Sequence, residues 1–319
     1  MWNDANMLPK AAMNKLETPL QNQIIAPLSD YRLVLISGPE AEKFLQGQCT
    51  CDFRRLAQGD WLRGAHCNAK GRMHSSFIAA KLGDETIALR MHASVVDSAM
   101  TAMKKYIVFS KAEASVAEAL LIGVAAGEAP DLPNLPEPGK CTSDGGTHVL
   151  RLNDYSSELW IMDETSAAII GHLPGTWASS SCWHEWMIRQ GIAEVTQASY
   201  EQLLPQELNY QLIDGVSFDK GCYTGQEIVA RMHYLGKLKK HLYLAETQLN
   251  DGANCEFGTE VEVQGKAVGK VIDAHIQEDG SSTMLVLAND SALEETVTIR
   301  HPSQPILRWQ PLPYAIHNE

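Results

Sequence analysis

The chain has 319 residues, of which 45% are hydrophobic and 20% charged, with a formal net charge of −13. That length exceeds what one hydrophobic core usually fills, so two or three domains are expected, and the composition excludes wholesale disorder. The acidic balance repels nucleic acid and anionic membrane at long range, which argues against direct nucleic-acid binding.

The first 24 residues read as an N-terminal extension. Asp4, Lys10, Lys15 and Glu17 are interspersed with Pro9 and Pro19, and no apolar core of a signal peptide occurs. Residues 25–120 read as a first α+β unit. The β-formers of Tyr31 to Ser37 predict a strand, and Ala41, Phe44 and Leu45 follow Gly38-Pro39 at helical spacing. Trp61 to Cys67, His74 to Lys81 and Thr86 to Met91 predict an antiparallel meander turning at Asn68 to Gly71 and at Gly83-Asp84. Val96, Met100, Met103 and Ile107 then predict an amphipathic helix.

Residues 121–240 read as a second α+β unit. Four prolines between Pro130 and Gly139 mark a surface loop. Strands are expected at Thr147 to Leu152 and Glu158 to Met162, and helices at Thr165 to Leu173 and Ser180 to Gln190, the last closed by Gly191. Sequence leaves open whether strands are exchanged between these two units. From residue 241 to 319, short β-rich runs separated by Gly, Asp and Asn predict a C-terminal antiparallel β-barrel. The longest apolar run, Ala119 to Gly127, is too short to span a bilayer, so no membrane attachment is expected. Seven cysteines, an odd number in a chain of this length, point to a reducing compartment, and the expected location is cytoplasmic. Cys49 and Cys51 lack a second ligand pair and read as buried thiols, with no metal site.

The segment Lys220-Gly221-Cys222-Tyr223-Thr224-Gly225-Gln226-Glu227 packs two glycines, a thiol, an aromatic and several polar groups into eight residues. A helical run begins at Glu227, which sets Cys222 just before a helix N-terminus and close to Lys220. Both the helix dipole and an ammonium favour a thiolate, so Cys222 is the candidate functional thiol, against the alternative of a structural cysteine in a turn. Arg231, Lys237, Lys239 and Lys240 form a cationic stretch that fits either a solvated face or an anion contact.

The run Lys220 to Glu227, continued by Val229-Ala230-Arg231, resembles the signature of the YgfZ family, relatives of the glycine-cleavage T protein. Phe44 to Gln48 with Thr50 and Asp52, His66 to Arg72, Lys105 to Phe109, and Leu204 to Glu207 resemble further elements of that family in the same order. The resemblance implies an α+β, three-domain ring of the T-protein type with tetrahydrofolate or a derivative in a central hole. It also implies an accessory role toward iron–sulfur enzymes, among them tRNA-modifying ones, reached indirectly. By motif position the family's folate-contacting tryptophans fall on Tyr31 and Trp183, although Trp183 sits with Trp186 and Met187 at a spacing that equally suits core. Lys220, Gln226, Glu227 and Arg231 are the further candidates for folate contacts. T proteins carry an acidic pair where this chain has His74 and Ser75, which argues against ordinary aminomethyltransferase activity. They also set a glutamate against the pterin where this chain shows Arg189 and Gln190, so the hydrogen bonds at the pterin edge are in doubt. Two other readings stay open: a one-carbon transferase using Cys222 as nucleophile, or a scaffold with vestigial folate binding.

Overall fold

The computed structural model describes residues 8–16, 20–234, 238–249 and 255–316. Three antiparallel-rich sheets organise them. The first is a five-stranded sheet of order β3-β4-β5-β2-β6, built from β2 (Tyr31–Ser37), β3 (Leu62–Cys67), β4 (Met73–Gly83), β5 (Thr86–His92) and β6 (Glu113–Ala117). Alternation along β2 turns Val34 and Ile36 to one face, where Phe44 and Leu45 of α1 (Ala41–Gln48) and Ala99, Met103 and Ile107 of α2 (Val96–Ile107) cover them. Tyr31 and Leu33 point to the opposite face, into a second core shared with Trp160, Trp183 and Met187.

The second sheet has the order β11-β1-β7-β10-β9-β8. It comprises β1 (Ile24–Pro27), β7 (Leu120–Ala125), β8 (Cys141–Asp144), β9 (Thr147–Arg151), β10 (Ser156–Ile161) and β11 (Thr176–Trp177). The apolar run noted in the sequence is thus β7, a fully buried central strand. β1 pairs antiparallel with β7 and parallel with β11, so the 25–120 unit lends its first strand to the sheet of the second. The N-terminal segment adds to the same edge, where the Ala12 and Met13 amides donate to the Trp177 carbonyl. The helix expected at Thr165 to Leu173 is a 3₁₀ helix over Ser166–His172, started by Asp163 accepting from the Ser166 amide. α3 (Ser180–Arg189) ends as expected at Gly191, whose φ of +69° favours glycine.

The third sheet has the order β16-β13-β14-β15-β12-β17. It is formed by β12 (Lys240–Gln248), β13 (Glu260–Val263), β14 (Lys266–Ile276), β15 (Ser281–Asn289), β16 (Thr298–Ile299) and β17 (Arg308–Gln310). It is the antiparallel, barrel-like sheet expected for the C-terminal residues, curled as a half-barrel. Its end strands are only two and three residues long, and β16 and β17 each pair with one strand of the sheet. The Gly265 segment is the β13–β14 hairpin turn, with φ positive at Gln264 and Gly265. Arg189, on α3, bonds Glu185 of its own helix and reaches Glu246 and Thr283 of this sheet at 2.9 Å each. No helix among the described residues is long and apolar enough to cross a membrane.

Candidate functional site

Tyr31 and Trp183 line one cavity of about 320 Å³ together with Pro27, Leu28, His92 and Glu194. Asp273 of β14 closes it from the third sheet, so all three sheets contribute. Trp183 stands on α3 and lies on Gly123 of β7, where any Cβ would fall 2.4 Å from the indole ring. Its Nε1 is buried and has no hydrogen-bond partner among the described residues. The Tyr31 ring lies under the Arg90 guanidinium at 4.3 Å and meets His92 edge-on at 5.8 Å.

Glu194 is the residue that sequence reading missed. It follows α3 on an extended segment held on both sides: the Val195 amide donates to Ser76 Oγ at 2.8 Å, and Tyr210 Oη donates to the Ala193 carbonyl at 3.0 Å. The doubt raised by Arg189 and Gln190 is thereby answered differently. The carboxylate facing the cavity comes from the segment beyond the helix, while Arg189 is spent on anchoring α3. The only signal in the sequence was an isolated acid between Ala193 and Val195.

Arg90 lies between Glu158, at 3.0 Å, and Glu194, at 3.1 Å, and its side chain and that of Glu158 are wholly buried. The approach to Glu158 is off the N–H direction and acts as an ion pair, whereas Arg90 Nη1 also donates a long hydrogen bond to Glu194 Oε2 at 3.5 Å. Burial raises the Glu158 carboxyl above its ordinary range. For Glu194 burial acts the same way, but Arg90 and the Tyr31 hydroxyl outweigh it and leave the carboxyl below the usual value. Glu194 is therefore the ionised acceptor at the cavity wall. Elsewhere in the lining, burial disfavours protonated His184, but Asp273, 2.9 Å away, overcomes it and raises the imidazole above its ordinary value.

None of Cys222, Lys220, Gln226, Glu227 and Arg231 lines this cavity. They belong to α4 (Gln226–Tyr234) and the turn before it. Lys220 is 5% exposed, and its ammonium donates to the Cys49 and Cys51 carbonyls at 2.7 Å each, with the Tyr223 ring beneath it. It is thus turned inward, while Cys222 is exposed. The Thr224 amide donates to the Gly47 carbonyl, and Gly225, with φ of +86°, admits the Asn68 carbonyl 2.5 Å from where a Cβ would stand. Glu227 and Arg231 are exposed and Gln226 half-buried. Lys237 lies outside the described residues. His74 lies between the tilted rings of His66 and Tyr200, Ser75 is buried, and neither lines the cavity of Tyr31 and Trp183.

No family model matches the chain. A tRNA-modifying protein YgfZ from Colwellia psychrerythraea is 33% identical over 312 residues, covering 93% of this chain and 95% of that one. The tRNA-modifying protein YgfZ of Yersinia enterocolitica is 32% identical over 330 residues, covering 98% of each. The chain belongs to the YgfZ family. Its fold is that of the glycine cleavage system aminomethyltransferase T from Bartonella henselae, matched with a TM-score of 0.69 at 14% identity over 92% of this chain and 86% of that one. In this YgfZ-family chain four of the motif segments are in contact. The octapeptide packs on the end of α1 and on the Asn68–Gly71 turn, Arg72 pairs with Glu207 at 2.9 Å, and Gln206 donates to the Val229 carbonyl.

Proposed function

We propose that the cavity between Tyr31 and Trp183 holds the pterin of a reduced folate. In this reading the protein is a tetrahydrofolate-binding accessory factor for tRNA modification that serves iron–sulfur enzymes, and Cys222 is its functional thiol. One observation carries the folate part: two aromatic rings, an ionised carboxylate and an unpartnered indole N–H converge on one cavity. A pterin is flat, with adjacent N–H donors on one edge and acceptors on another. Stacking on Trp183 or Tyr31, donation to Glu194 and acceptance from Trp183 Nε1 would satisfy it. Bound there, a reduced folate would supply one-carbon chemistry, and the protein's own groups would orient it and exclude water. The relatives are tRNA-modifying proteins by name, which supports the tRNA-modification part. Because Cys222 lies outside the cavity lining, the transferase reading with Cys222 as nucleophile lacks a partner geometry.

Calorimetric titration with tetrahydrofolate tests the reading. One equivalent should bind and quench indole fluorescence, and Glu194→Gln should weaken binding about tenfold or more, the worth of a charge-assisted hydrogen bond. Unchanged affinity in both Glu194→Gln and Tyr31→Ala would show that the pterin is held elsewhere. With His74 and Ser75 in place of an acidic pair, an aminomethylated lipoyl carrier and tetrahydrofolate should give no methylene-tetrahydrofolate above background.

A further inference from the structure

A second cavity, of about 310 Å³, opens where β3, α3, the loop after β9 and the C-terminal segment meet. Arg63 lines it and is 4% exposed. Its guanidinium makes no hydrogen bond or ion pair with any described residue; it lies over the Trp61 ring at 5.8 Å, and its charge reaches Glu158 and Glu194 only at longer range. The Gln190 side-chain amide, on the same wall, is likewise without a partner among the described residues. A buried cation with free donors is costly unless something accepts from it. Trp61 itself is already committed through Nε1 to the Arg151 carbonyl, which leaves its ring as a wall.

Charge and shape narrow the occupant. Glu158 and Glu194 lie in the adjoining core, and with Arg90 and Arg63 they sum to two carboxylates and two guanidiniums. Asp154 at the cavity rim is paired with Arg151 at 3.7 Å and leaves that balance even. A single carboxylate matches one guanidinium in the planar, two-pronged geometry it favours, whereas a dianion or polyphosphate would bring more charge than one guanidinium answers. Met187, Ile192, Ile213 and Pro313 give the remainder of the lining an apolar surface, suited to a hydrocarbon body rather than a sugar. We propose that this cavity binds a flat monocarboxylate, anchored by Arg63 and Gln190, at a site separate from the Tyr31–Trp183 cavity.

Benzoate and its neutral isostere benzamide are the probes, titrated calorimetrically into the full-length protein. Benzoate should bind in the millimolar range or tighter and benzamide about tenfold more weakly or worse, because only the anion answers the guanidinium. Arg63→Met should remove the preference for benzoate. Ile192→Trp, which fills the cavity and leaves the charge in place, should abolish binding of benzoate while tetrahydrofolate titration of the same variant remains as in the parent. Circular dichroism confirms that each variant is folded. Absence of benzoate binding to the parent protein, equal affinity for the two probes, or unaltered benzoate binding in a folded Ile192→Trp variant would each overturn the proposal. Failure of tetrahydrofolate to bind would leave this site standing and count against the folate reading alone.

Discussion

Cys222 is the exposed thiol of the seven, and the others differ from it by environment rather than by sequence context. Burial pushes the thiols of Cys51 and Cys141 up to about 12 and that of Cys255 up to about 11, and it raises Cys49, Cys67 and Cys182 as well. Such thiols hold almost no thiolate at neutral pH. Native alkylation followed by peptide mass analysis should therefore mark Cys222 first, and Cys222→Ser should remove that label at a stability change within about 0.5 kcal/mol. Comparable labelling of Cys49 or Cys51 in the folded protein would contradict the burial assigned to them. His66 offers a second measurement at this scale. It is 1% exposed, both ring nitrogens lack hydrogen-bond partners among the described residues, and burial with the neighbouring His74 lowers it from 6.5 to about 3. The unfolded chain then binds a proton that the folded one refuses. The stabilisation is complete above about pH 6.5 and is lost, at about 1.4 kcal/mol per unit, as pH falls toward 3. Urea unfolding across that range should show this slope, and His66→Leu should flatten it; an unchanged slope would place the titration elsewhere.

At the scale of elements, the fit of α3 onto the second sheet rests on a missing side chain. The Gly123 Cβ position lies 2.4 to 2.7 Å from three Trp183 ring atoms, so an added methyl group must displace the indole from its packing on β7. Gly123→Ala should cost about 1–3 kcal/mol through overpacking and shift the fluorescence of the displaced indole. Denaturant titration read by both circular dichroism and fluorescence checks it. Retention of both parent stability and parent emission would mean that the close approach is looser than described. The same helix explains why Trp183 and Met187 looked like core: one helical turn apart, both belong to the buried cluster, and they line different cavities.

For the molecule as a whole, Arg189 joins the second unit to the third sheet. Its guanidinium bonds the fully buried Glu185 on its own helix and reaches Glu246 and Thr283 on β12 and β15. Removing it leaves Glu185 buried with only His275, 3.7 Å away, and Gln277 nearby. Arg189→Met should therefore destabilise by about 3 kcal/mol or more, and a second change, Glu185→Gln, should recover part of the loss by deleting the stranded charge. Additive losses in the double variant would show that the pair is not coupled. The surface pair Lys15–Asp279 spans the N-terminal segment and the third sheet as well, but both side chains are more than half exposed, so little should change on its removal.

Local rules sufficed wherever neighbours in sequence were neighbours in space. The meander of β3, β4 and β5, the amphipathic α2, the proline loop and the glycine end of α3 follow from period, turn chemistry and propensity. β1 and β6 escaped that reading. β1 is four residues long and gains its partners from residues 120–125 and 176–177, and β6 is an edge strand with exposed positions and little alternation. The octapeptide marked Cys222 as unusual in advance, yet its exposure, and the diversion of Lys220 to two carbonyls some 170 positions back in the chain, were settled by packing. Glu194 and Arg63 are the plainest cases. Each is an ordinary charged residue in sequence, and only the packing of distant elements surrounds it with low-dielectric walls and decides which cavity it faces, because desolvation and ion pairing depend on distance in space and not along the chain.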